Sequence, residues 1–321
     1  MFKNMKLGAK IGAGFAALIV IALGLGGLAV WSMSGVKTIA NTLAEVKMKE
    51  VDLTTDIERY ASRTMYAARG YAYAEDKKFL EAAMKSLEET KKTIEDAKAH
   101  GAKTGEKDLE DNATKAKALV VEYEKLLADT VKATEAMAKD TAAMDEGAKK
   151  YMQVCSAFLV NQDKKLDEEI KESLAGGATT QPAGAAKIDW EKKLTERVWK
   201  IQVCNEIVDL GNAIRIGNWR AQADRAPKEF EEAQKKFSEV NAKLDELKAK
   251  TTQEANLKQI EECRVAGNAY NTAMTSFLTN WLAREEIGKK RGEAGDGVLK
   301  TADETGMAAL EDCGKSANTA A

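Results

Sequence analysis

Guanidinium groups recur in two stretches that read as helix, RYASRTMYAARGY (residues 59–71) and NAIRIGNWRAQ (residues 212–222). Each interleaves arginine with small and aromatic residues, where a packed helix carries its apolar stripe. A planar guanidinium fork matches a carboxylate in bidentate geometry, so arginines at an interior seam are suited to holding an organic acid. Heptad counting through the second stretch puts Leu194, Ile201, Val208, Arg215 and Gln222 on one seam, with Val198, Asn205, Asn212 and Trp219 on the other. Farther on, Cys263, Tyr270, Phe277 and Arg284 share a seam. Near the N-terminus Ile57, Tyr60, Thr64, Ala67 and Tyr71 do so, flanked by Arg63 and, one turn earlier, Arg59.

A buried cation without a counter-charge costs several kcal/mol. Glu206, Asp209, Glu285 or Glu286 could neutralise these arginines, or the side chains could reach water. The cluster as a whole favours an anion from outside. The expectation is that Arg63, Arg215 and Arg284 clamp a small di- or tricarboxylic acid, with Arg59, Tyr66, Asn212, Trp219 and Asn280 lining the pocket.

The elements that would position them are helices. Two prolines in 321 residues, with Ala, Lys, Glu and Leu abundant, point to an all-α chain. Turn signals fall at Glu75-Asp76, in GAKTG (101–105), in LAGGATTQPAGAA (174–186), in DRAP (224–227) and, weakly, at Thr251-Thr252. Pro227 suits a first helical position. The helices between these breaks measure about 40, 25, 65, 35, 24 and 65 residues. The halves also repeat: residues 70–98 align without gaps to residues 221–249, Phe79 falling on Phe230.

A 40-residue helix followed by one of 25 matches a single helix of 65, twice over. The simplest arrangement is an elongated six-helix domain of two stacked four-helix bundles. One bundle would take residues 36–75, 145–225 and 280–318, the other 76–144 and 226–279. Measured from the tips near residues 103 and 250, the three arginines would then share one height. The third helix supplies the clearest heptads: Ala116, Tyr123, Thr130, Met137, Met144, Tyr151 and Phe158 on one seam, Val120, Leu127, Thr134, Thr141, Ala148 and Cys155 on the other. Cys155 and Cys263 read as small core residues, while a Cys155–Cys204 bridge stays open in an oxidising compartment.

One segment differs from the rest. Residues 11–33 carry no charge, and 23 residues make roughly 34 Å of helix, enough to span a bilayer. The run is longer than a usual signal-peptide core, so an uncleaved anchor is expected. Lys3, Lys6 and Lys10 precede it without an acid, which puts residues 1–10 in the cytoplasm and residues 35–321 outside, in the periplasm if the membrane is a bacterial inner membrane.

A net charge of −2 gives no reason to expect nucleic-acid binding, one histidine (His100) leaves little for a metal site or triad, and the four cysteines form no CxxC pair. No cofactor and no enzymatic activity are expected. The basic start running into a Gly/Ala-rich membrane helix, MFKNMKLGAKIGAGFAALIVIALGLGGL (residues 1–28), resembles the beginning of bacterial methyl-accepting chemotaxis proteins. The doubled short-short-long helices resemble the helical bimodular sensor domain of those receptors, and the two arginine-bearing stretches fit it. The resemblance implies a periplasmic homodimer that binds small organic acids and reaches cytoplasmic signalling partners through a further C-terminal part. The input domain of a sensor histidine kinase and a structural, membrane-anchored coiled coil are the alternatives.

Overall fold

The computed structural model describes residues 6–176 and 184–320, the side chains of 184–189 and 318–320 excepted. Among the described residues all regular structure is helical. Helix α1 (Leu7–Thr42) buries none of its residues, and it holds the span long and apolar enough, by length and composition, to cross a membrane. A π-helical turn, Leu43–Lys47, joins it to α2 (Met48–Ala74). The chain continues through α3 (Lys77–Thr104), α4 (Lys107–Gly176), α5 (Gly184–Ala223), α6 (Pro227–Ala249) and α7 (Glu254–Ala320).

Two reversals organise these helices. Glu75 ends α2 in the left-handed region (φ 57°), and the Asp76 side chain caps α3 by accepting from the Lys78 N–H at 2.9 Å. Chain direction therefore flips within two residues, and α3 folds back along α2. At the turn a Cβ on Gly70 would stand 2.6 Å from the Phe79 ring, so glycine lets the helices close there. The α5–α6 reversal uses the same device: Arg225 sits at φ 53° and Pro227 opens α6.

The chain divides into two compact units, residues 1–128 with 288–321 and residues 129–287. In the first, α2, α3, the start of α4 and the end of α7 form a four-helix bundle. One of its layers joins Ala61 and Met65 to Leu87, to Val120 and Tyr123, and to Val298. In the second, α5 and α6 pack with segments of α4 and α7 around Tyr151, whose hydroxyl donates to the Ile207 carbonyl at 3.0 Å. Phe237 meets the Tyr151 and Tyr270 rings edge-on at 6.5 and 5.4 Å, and Phe230, Phe277 and Trp281 extend the aromatic column. Gly211 and Gly267 face the Tyr151 ring, and a Cβ at Gly211 would collide with it.

The α4 heptads are found with one exception: Ala116, Tyr123, Thr130, Met137, Met144, Tyr151 and Phe158 are buried, with Val120, Leu127, Thr134, Ala148 and Cys155 beside them, while Thr141 is half-buried. The pairing of the short helices is not as expected. Expected in line, α2 and α3 instead form an antiparallel hairpin, as do α5 and α6, so the units divide near 128/129 and 287/288 rather than into the expected groups 36–75, 145–225, 280–318 and 76–144, 226–279. Length matching cannot tell continuation from reversal; the left-handed residue at each turn decides it. Cys155, Cys204 and Cys263 are buried free thiols. The expected 174–186 linker lies largely outside the described residues.

Candidate functional site

The expected arginine layer is split between the units. Arg59, Arg63 and Tyr66 lie on the solvent face of α2 in the first, where Arg59 pairs with Asp56 at 2.7 Å and covers the Tyr60 ring. Arg215, Asn212, Trp219, Arg284 and Asn280 belong to the second. Asn280 donates to Asp140 at 2.6 Å and Arg284 approaches the Thr134 hydroxyl at 3.5 Å, both on α4. Arg215 faces α4 at residues 145–156 instead. The residues from Thr134 to Asp145 span about 16 Å of helix, so Arg284 and Arg215 do not share a pocket.

Arg215 is also not a core residue. The buried positions of α5 include Cys204, Ile207, Gly211, Ile214, Asn218 and Ala221, one residue before the expected seams, and Arg215 and Trp219 are exposed. Tyr151 sets this register: α5 must present Gly211 to its ring and the Ile207 carbonyl to its hydroxyl. Beside the core, Arg215 borders an open groove of about 480 Å³ with Asp145, Lys149, Met152, Gln153 and Ser156. Two cations, one carboxylate and the polar groups of Gln153 and Ser156 can hold an acidic ligand there with modest desolvation.

The shifted seams reveal the interior cations. Arg197, Cys204, Gly211 and Asn218 recur every seven residues, as do Lys200, Ile207, Ile214 and Ala221. Arg197 and Lys200 are 8% and 7% exposed. The Arg197 guanidinium donates to Glu169 at 2.6 Å through Nη2 and to the Gln162 carbonyl oxygen at 2.6 Å through Nη1. Lys200 donates to Glu196 at 2.7 Å. In the first unit Arg291, 4% exposed, contacts Tyr123 and the Ala68 carbonyl, and burial pushes its pKa down.

A second polar cluster sits where the π-helical turn meets α2. Lys47 reaches Glu106 at 2.7 Å, Glu50 at 3.5 Å and Asp312 at 3.6 Å, and the His100 ring lies 3.1 Å from the Val46 carbonyl. Glu50 is 4% exposed; burial raises its carboxyl pKa, opposed by Lys47 and reinforced by Glu106. Among the described residues no group of three His, Cys, Asp or Glu is placed to hold a metal ion.

No curated protein matches the chain. Residues 4–104, from the basic N-terminus through α1, α2 and α3, match a family described as a four helix bundle sensory module for signal transduction. The part of the chain similar to that family thus carries the apolar helix and the first hairpin, and α4 to α7 lie beyond it.

Proposed function

We propose that the chain is the ligand-sensing region of a bacterial transmembrane chemoreceptor of the methyl-accepting type, binding a small organic acid and signalling across the inner membrane. The carrying observation is the sensory-module match, which begins before the apolar helix and runs through the first hairpin. A continuous helical path joins α1 to α2, so a displacement of the bundle reaches the membrane without a flexible joint. Two four-helix units support the helical bimodular type, which implies a homodimer with residues 35–321 in the periplasm.

The groove at Arg215 is our choice for the acid in the second unit, Lys149 adding a second cation and Gln153 and Ser156 the neutral hydrogen-bonding groups. A ligand shifts signalling only through its differential affinity for two bundle arrangements, and a groove between α4 and α5 is placed to sense their separation. Protease added to spheroplasts tests the topology: residues 35–321 are digested while the N-terminus is retained. Full protection of residues 35–321 contradicts the assignment.

A further inference from the structure

Beyond the Arg215 groove, the second unit holds a polar centre that its internal partners leave incomplete. Gln162 is fully buried. Its carbonyl oxygen is fixed by Arg197 Nη1 at 2.6 Å, which turns the amide Nε2 away from that arginine, and Nε2 has no acceptor among the described residues. A buried amide N–H without an acceptor costs about 1–3 kcal/mol, so its retention in a packed bundle asks for a reason.

One helical turn on, the Lys165 ammonium donates to Asn256 Oδ1 at 2.9 Å and Gln253 Oε1 at 3.1 Å, both neutral oxygens. Residues three apart on a helix share a face, so Gln162 and Lys165 stand on the same face of α4. Burial lowers the pKa of Lys165, and Arg197 and Lys200 add to this while Glu168 and Glu169 oppose it. The two nearby cations are each tied to one carboxylate, Arg197 to Glu169 and Lys200 to Glu196. A further cation stands at this end of the bundle, Lys250, 4.1 Å over the Trp199 ring. Among the described residues Lys165 has no carboxylate in hydrogen-bonding contact, and it shares its helix face with an amide N–H that needs an acceptor.

We propose that Gln162, Lys165, Arg197 and Lys200 form an internal site for a compact monoanion the size of a carboxylate group or a halide ion. The anion accepts from Gln162 Nε2 and Lys165 Nζ, and Arg197 and Lys200 stabilise it at longer range. Lys165, half-buried, gives the route from solvent. The site draws on α4 and α5, with Asn256 of α7 holding Lys165, and it is distinct from the groove that carries Arg215.

The test uses the full chain in detergent micelles, in a halide-free buffer with gluconate as the bulky anion. Sodium acetate and sodium chloride are titrated separately and the melting temperature is followed by circular dichroism. The expected result is a saturable rise with acetate or chloride and none with gluconate; the salt that saturates identifies the chemistry held. Lys165→Met and Gln162→Leu each weaken the apparent affinity at least tenfold, while Lys165→Arg and Arg215→Ala retain it. Equal, non-saturating responses to all three salts would mean screening alone and overturn the site, as would unchanged affinity in Lys165→Met. Should Lys165→Met fail to fold, the same comparison rests on Gln162→Leu, which keeps every charge. A dicarboxylate response lost in Arg215→Ala but kept in Lys165→Met separates the groove from this internal site.

Discussion

Arg197 and Arg215 are close in sequence and opposite in energetics. Arg197 is buried and fixes both Gln162 and Glu169, so Arg197→Ala leaves an interior amide oxygen and a carboxylate short of donors. Unsatisfied buried groups cost about 1–3 kcal/mol, and thermal unfolding of the full chain should show a loss of that size. Arg215→Ala, at an exposed groove edge, should change ligand-free stability by less than about 0.5 kcal/mol. A comparable loss from both substitutions would show that Arg215 has an interior role. The α5 seam was legible in principle, since Cys204, Gly211 and Asn218 keep heptad spacing. Heptad spacing also fits the larger Val198, Val208 and Trp219, and apolar bulk is the usual mark of a core position. Here glycine and asparagine hold the core beside a large tyrosine, while Val198 and Trp219 face solvent.

At the scale of elements, the reversals matter most. Gly211 permits α5 to approach Tyr151, so Gly211→Val should overpack the second unit and cost about 1–3 kcal/mol, read as a lower melting temperature. An unchanged melting temperature would place Tyr151 elsewhere. Lys47 of the π-helical turn is joined to Glu50 on α2, to Glu106 in the turn before α4 and to Asp312 on α7, and Val46 meets His100 on α3; this junction predicts a pH dependence. Burial raises the Glu50 pKa in the folded state above its unfolded value. Its stabilising contribution is therefore full below the ordinary carboxylate range, and is lost as pH rises through the folded value. Glu50→Gln removes that loss, so the variant should melt higher than the parent at pH 7 and converge with it near pH 4. A variant that melts lower at pH 7 would show that the Lys47 ion pair outweighs desolvation. Helix positions and the α4 heptads could be read from sequence because turn signals and period are local. The hairpin pairing could not, because Glu75 and Arg225 adopt the left-handed conformation without being glycine.

For the whole molecule, one apolar helix leads into two compact helical units, and the sensory-module match covers that helix and the first hairpin. The second unit, where the groove and the buried polar centre lie, falls outside the match, so its role rests on its own chemistry. The most direct test of the sensing account is a melting-temperature screen of the full chain in detergent against small di- and tricarboxylic acids. A ligand at about 100 times its Kd should stabilise the folded state by roughly 2.7 kcal/mol, with the response reduced by Arg215→Ala. The account predicts a saturable rise with at least one such acid; no saturable rise with any of them would contradict it.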